Sequence, residues 1–127
     1  NHPIDTIHAV LSREELIDIQ EEVKDVYIAD TIQTYIVNIV NRTREHPSSY
    51  LGVSPRGSIA LMRAAKAYAY INNRDYVLPD DVKYLAPFVL VHRIIVSSEG
   101  RYNGDTGERI IDSILKSTHI PVRKEFS

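Results

Sequence analysis

Gly52-Val53-Ser54-Pro55-Arg56, followed by the run Gly57-Ser-Ile-Ala-Leu-Met-Arg-Ala-Ala-Lys-Ala-Tyr-Ala-Tyr-Ile71, decides how the rest of the chain is read. It predicts the start of a long, nearly all-apolar helix. Ser54 suits the N-cap, where its hydroxyl can accept from an otherwise unpaired amide of the first turn. Pro55 then falls at the first helical position, where a missing N–H costs nothing and φ is already helical. Arg56 is the anomaly, because a cation at the positive end of the helix dipole costs roughly 0.3–1 kcal/mol when exposed. On helix chemistry alone, solvation or a nearby carboxylate accounts for it. The alternative is a bound anion, since free helix amides and a guanidinium both favour phosphate oxygens.

Beyond Gly57 the run is apolar on almost every side, and such a helix is normally surrounded by others. Its alanines allow neighbouring helices to approach closely. Arg56 and Arg63 are seven residues apart, so they project within about 20° of each other. With Lys66 on the next turn, they predict one polar seam along a buried cylinder, headed by Arg56.

Toward the N-terminus, Asp30 is a plausible cap for a helix in which Ile32, Tyr35, Ile36, Ile39 and Val40 repeat at i, i+3, i+4, i+7 and i+8. His46-Pro47 stops it. Earlier still, Ser12-Arg-Glu-Glu15 has the capping-box form and opens a helix to about Glu22, with Leu16, Ile19, Gln20 and Val23 near one face. Its charged positions, Arg13, Glu14, Glu21, Glu22 and Lys24, read as a solvated face. Val26-Tyr27-Ile28 is a short extended link.

Toward the C-terminus, Asn72-Asn-Arg-Asp75 is a turn and Tyr76-Val77-Leu78 a brief extended piece. Pro79 opens a helix whose first-turn Asp80 and Asp81 suit the dipole, although Leu78 cannot cap it, a loss of about 1 kcal/mol. Pro87 ends or bends that helix, and Phe88-Val-Leu90 and Ile94-Ile-Val96 read as apolar segments packed on the bundle. Residues 97–106 read as a mobile loop. Ile110, Ile111, Ile114 and Leu115 mark the apolar face of a last helix from Gly107 to Ser117.

The chain of 127 residues is sized for one domain, with a formal charge of −2. That charge argues against a nucleic-acid partner. No stretch approaches the ~18 apolar residues of a membrane span. Cysteine is absent, which excludes disulfides and thiolate metal sites and is compatible with the cytoplasm. The five histidines show no ligand pair at helical spacing, so no metal is expected. His92-Arg93 reads as an ordinary core or surface pair. Tyr35, Tyr68 and Tyr84 sit at core spacing, which leaves Tyr27 as the loop aromatic.

Taken in order, Leu51-Gly-Val-Ser-Pro-Arg-Gly-Ser58, Arg63-Ala-Ala-Lys-Ala67, Arg74-Asp-Tyr-Val77, Pro79-Asp-Asp-Val-Lys83, Leu85-Ala-Pro87 and His92-Arg93 resemble the C-terminal lid of the MoxR family of AAA+ ATPases. The resemblance implies an all-α fold, an AAA+ lid-type bundle of four to five helices with short extended connections. The bundle would span residues 12–120, after a connector at 1–11 from a core subdomain outside this sequence and before a tail at 121–127. Arg56 would be the sensor 2 arginine, the catalytic candidate, reaching the nucleotide phosphates. Ser54 and Pro55 would set its position and Arg63 would stand beside it in the nucleotide site. ATP is then the implied cofactor, with magnesium held by the core subdomain and no nucleotide expected to stay tightly on the lid alone. The implied partners are that core, neighbouring protomers in a ring (usually a hexamer), and von Willebrand factor A-type proteins remodelled in a chaperone-like cycle. The sequence departs from the family pattern at Leu78, usually threonine or serine, and at Gly57, which weakens the turn behind Arg56.

No G-x-x-x-x-G-K-[ST] loop is present, so the chain cannot hydrolyse ATP by itself. A different class of function also fits part of the pattern. The order helix, extended piece, then Pro79-Asp-Asp-Val82 resembles a histone-like pairing module with no nucleotide work. Tyr76 to Val82 cannot separate the two, but the Ser54-Pro55-Arg56 start favours the lid.

Overall fold

The computed structural model describes residues 12–121. The expected connector at 1–11 and the tail from 122 onward lie outside the described residues. Among the described residues there are six α-helices: α1 (Arg13–Lys24), α2 (Asp30–Glu45), α3 (Pro55–Ile71), α4 (Pro79–Leu90), α5 (Ser98–Tyr102) and α6 (Gly107–Ser117). Two short strands, β1 (Ser49–Leu51) and β2 (Ile95–Val96), pair antiparallel. The fold is the expected helical bundle with one helix more than expected. That extra helix is α5, which replaces the expected loop at 97–106. Ser97 caps it by accepting from the Gly100 amide at 2.9 Å.

The centre of the bundle is α2. Its stripe of Ile32, Tyr35, Ile36, Ile39 and Val40 is buried throughout, and each of its aliphatic side chains contributes roughly 1.5–3 kcal/mol on leaving water. The cap of α2 is Ala29, and Asp30 lies inside the first turn, where it faces the dipole without capping. Ile110, Ile111, Ile114 and Leu115 of α6 close the core from the other end of the chain, as their period requires.

The helix expected at the centre, α3, is only half buried. Gly57, Leu61, Ala65 and Ala69 face inward at a spacing of four, while Ile59 is 47% and Ile71 75% exposed. A helix rich in alanine offers little area to bury, so the larger aliphatics of α2 take the middle. α3 packs mainly against α4. Pro87 does not end α4, because Val82, Ala86 and Leu90 continue one buried stripe past it. Phe88 and Tyr84 point outward, 67% and 55% exposed, against the expectation that both pack inward. Their rings stack along the surface with Tyr68, at centroid separations of 5.4 and 5.5 Å.

At the other edge, α1 buries no residue, and Leu16 stays 48% exposed. The expected capping box is present, with Glu15 accepting from the Ser12 amide at 3.0 Å and the Glu15 amide donating to the Ser12 hydroxyl at 3.1 Å. The Ser12 amide first, and then the Ser12 hydroxyl, hold the Glu15 carboxyl below its ordinary pKa.

Candidate functional site: the open start of α3

Three contacts fix the backbone that carries Arg56. Thr43 continues the buried stripe of α2 at i+11 from Ile32; its hydroxyl donates to the Val40 carbonyl at 2.6 Å and accepts from the Val53 amide at 2.8 Å. Val53 itself is fully buried. Gly52 lies against the backbone of Arg44, where a Cβ would come within 2.6 Å of the Arg44 Cα. Gly57 lies beneath Val53, and a Cβ there would run into the Val53 side chain. The glycine at this turn thus leaves room for the Val53 side chain to lie directly against the helix start.

Above this anchor the helix start is open. Ser54 sits at the N-cap with extended φ and ψ of −73° and 166°, but its hydroxyl makes no capping bond. Pro55 has no N–H to give, and the Gly57 amide donates to the Ser54 carbonyl at 2.8 Å. The backbone of Ser54 thus does the work expected of its side chain. Ser54, Pro55 and Arg56 are all exposed. The first turn holds no acidic residue, and Arg56 makes no ion pair among the described residues.

Arg63 is exposed on the same side of α3. Lys66 is not part of the seam. Its ammonium donates to the Lys24 carbonyl at 3.0 Å, at the carboxyl end of α1, where the dipole favours a cation. The structure thus leaves Ser54, Pro55, Arg56 and Arg63 uncommitted on one face and removes Lys66. Chemically that face is two guanidiniums, a free hydroxyl and the positive end of a helix. Such a set fits a polyphosphate.

α4 has the other proline-led start, and it is closed. The Asp81 carboxylate accepts from the Leu78 amide at 2.8 Å, which supplies the half of a capping box that Leu78 cannot. Arg74 grips the same carboxylate with both terminal nitrogens, at 2.7 and 2.8 Å, and also donates to the Tyr76 carbonyl at 3.0 Å. Asp81 is 3% exposed. The hydrogen bond it donates to Asp81 holds the Arg74 guanidinium above its ordinary pKa. This network escaped the sequence reading, which assigned Asp81 to the dipole alone and counted the start of α4 as a loss. The signal was the arginine seven residues before the aspartate across a turn.

Among the described residues, no three histidine or acidic side chains gather as a metal would need. His92 and Arg93 lie exposed in the 3₁₀ turn after α4. No described helix is long and apolar enough to cross a membrane.

The family model for the AAA lid domain matches residues 41–114, more than half of the chain and the part that holds both helix starts. The uncharacterized protein YeaC of Bacillus subtilis is 50% identical over 98% of this chain, which spans 39% of that relative. Chaperone MoxR1 of Mycobacterium tuberculosis is 28% identical over 88% of the chain, which spans 32% of it. The crystal structure of a candidate ATPase from Cytophaga hutchinsonii superposes with a TM-score of 0.83 at 36% identity, covering 88% of this chain and 37% of that one. The chain spans less than two-fifths of each of these proteins.

Proposed function

Because the chain belongs to the AAA lid domain family and is homologous to MoxR proteins, we propose that it is the lid of a MoxR-type AAA+ ATPase and that Arg56 is its nucleotide-sensing arginine. The observation that carries the reading is the open start of α3: an exposed, unpaired guanidinium on a backbone clamped by Thr43, Gly52 and Gly57. A cation kept at the wrong end of a dipole gains most from a ligand of opposite charge. ATP with its magnesium would be bound by the phosphate-loop part that this chain lacks, and would supply the polyphosphate. Arg56 would then meet the terminal phosphates, with Arg63 and the Ser54 hydroxyl beside it. The lid would close over the nucleotide and add positive charge where negative charge develops.

The same reading places the lid between its own core subdomain and a neighbouring protomer in a cytoplasmic ring, usually a hexamer. The ring would remodel partner proteins, those with von Willebrand factor A domains among them. The histone-like alternative draws no support from the structure, because its Pro79-Asp-Asp-Val82 pattern is accounted for by the Asp81–Arg74 clamp. In the complete protein, Arg56→Ala is expected to lower ATP turnover about tenfold or more, the usual scale for one electrostatic donor to a transferring phosphoryl group. The circular dichroism spectrum should stay unchanged and the melting temperature should not fall. Unaltered turnover would reject the sensing role.

A further inference from the structure

On a part of the surface separate from Arg56, two extended segments meet. The Tyr27 amide donates to the Asp75 carbonyl and the Val77 amide to the Tyr27 carbonyl, both at 2.8 Å, forming an isolated parallel bridge. Residues on both sides of that bridge, joined by Ile120 and Pro121, line a groove of about 500 Å³. Its walls are apolar and flat: the rings of Tyr27 and Tyr76, 63% and 45% exposed, with Pro79 and Pro121. Asp80 is the single charged residue in the lining, and it makes no ion pair among the described residues. The nearby cation, Arg74, is already committed to Asp81 and the Tyr76 carbonyl.

A second observation concerns Tyr35. Its side chain is 1% exposed and its hydroxyl has no hydrogen-bond partner among the described residues. Burial raises its pKa first, and the charge of Asp80 adds to the rise.

We propose that this groove binds an extended segment of a partner protein that carries a lysine or arginine beside proline or aliphatic residues. Aromatic and proline walls favour extended, proline-containing chains, which lose little entropy on docking. The long stem of a basic side chain can lie along the tyrosines while its head pairs with Asp80. A nucleic acid or an anionic lipid surface is disfavoured, because the one charge in the lining would repel phosphate.

The test is a titration of the 127-residue chain followed by amide chemical shifts. The probes are two synthetic pentapeptides, acetyl-Pro-Leu-Arg-Pro-Leu-amide and the same peptide with glutamate in place of arginine. The arginine peptide should shift the amides of Tyr27, Ala29, Tyr76, Val77 and Asp80. The glutamate peptide should bind at least about fivefold more weakly, and Asp80→Asn should weaken the arginine peptide by a similar factor, the scale of one charge-assisted contact. Shifts absent from those amides, equal binding of the two peptides, or an unchanged affinity for Asp80→Asn would each overturn the proposal. So would a gain of tenfold or more on deleting residues 122–127, which include Arg123 and Lys124. That gain would mean that the chain's own continuation competes for the groove.

Discussion

Two of the described helices begin with proline, and they begin in opposite ways. At α4 the chain closes the start itself: the Asp81 carboxylate accepts from the Leu78 amide and from Arg74. At α3 the serine that could cap does not, and the arginine that follows pairs with nothing described. Residue types alone point the other way, since Ser54 is a good cap and Leu78 none. A helix start that is closed by its own chain contributes to stability. One that is held rigid yet left open is available to something outside the chain.

The comparison is broken most sharply at Asp81. Asp81→Ala leaves Arg74 without its carboxylate in a largely buried site and the Leu78 amide unserved. Removing one partner of such a pair should destabilise the domain by about 3 kcal/mol or more. Urea unfolding followed by circular dichroism would measure it. A loss under about 1 kcal/mol would mean that the closed start is ornamental and the contrast with α3 empty.

Gly57→Ala probes the clamp under the open start, and here the sign decides. In an exposed helix interior, alanine for glycine stabilises by roughly 0.5–1 kcal/mol. At Gly57 the new methyl would meet the Val53 side chain, so a loss of about 1–3 kcal/mol is expected from overpacking. Thermal unfolding distinguishes the two outcomes, and a gain would show that Val53 can give way and that Arg56 is not rigidly carried.

How far the sequence discloses these features depends on the size and chemistry of the residues concerned. α2 and α6 are legible because large aliphatics repeat at the helical period and have one buried side to go to. α3 misleads because hydrophobicity scales treat alanine as apolar although it has little area to bury; position in the bundle then follows from α2, a long-range fact. Thr43 stands in phase with the buried stripe, but a hydroxyl there reads as a flaw until its partner, the Val53 amide, comes into view. The Asp81–Arg74 clamp needs the chain to double back, which it does through Asn73 at a φ of 61°. β1 and β2 are too short for alternation to register. Arg56 was legible because its misfit is local, a cation against a dipole.

Ser54→Ala tests whether the open start is truly uncapped. At a working N-cap this change costs about 1 kcal/mol. Here the Gly57 amide already has the Ser54 carbonyl at 2.8 Å, and the hydroxyl accepts nothing from the helix. The expected loss is therefore only a few tenths of a kcal/mol, within the range of ordinary surface substitutions. Urea midpoints compared at constant m-value would resolve it, and a full 1 kcal/mol would show that the hydroxyl caps in solution.

The smallest effect on stability is expected at the residue with the largest proposed effect on function. Arg56 makes no described ion pair and faces an unfavourable dipole. Arg56→Ala should thus leave the domain as stable as before or more stable, by up to about 0.5 kcal/mol, and the gain should shrink as salt screens the dipole. Arg56→Glu should go further in the same direction, because it replaces repulsion with attraction at the helix start. Melting curves of the three proteins at low and high salt would show the order glutamate, alanine, arginine, converging at high ionic strength. The reverse order would mean that Arg56 is held by contacts of its own, and the open start of α3 would then be as closed as that of α4.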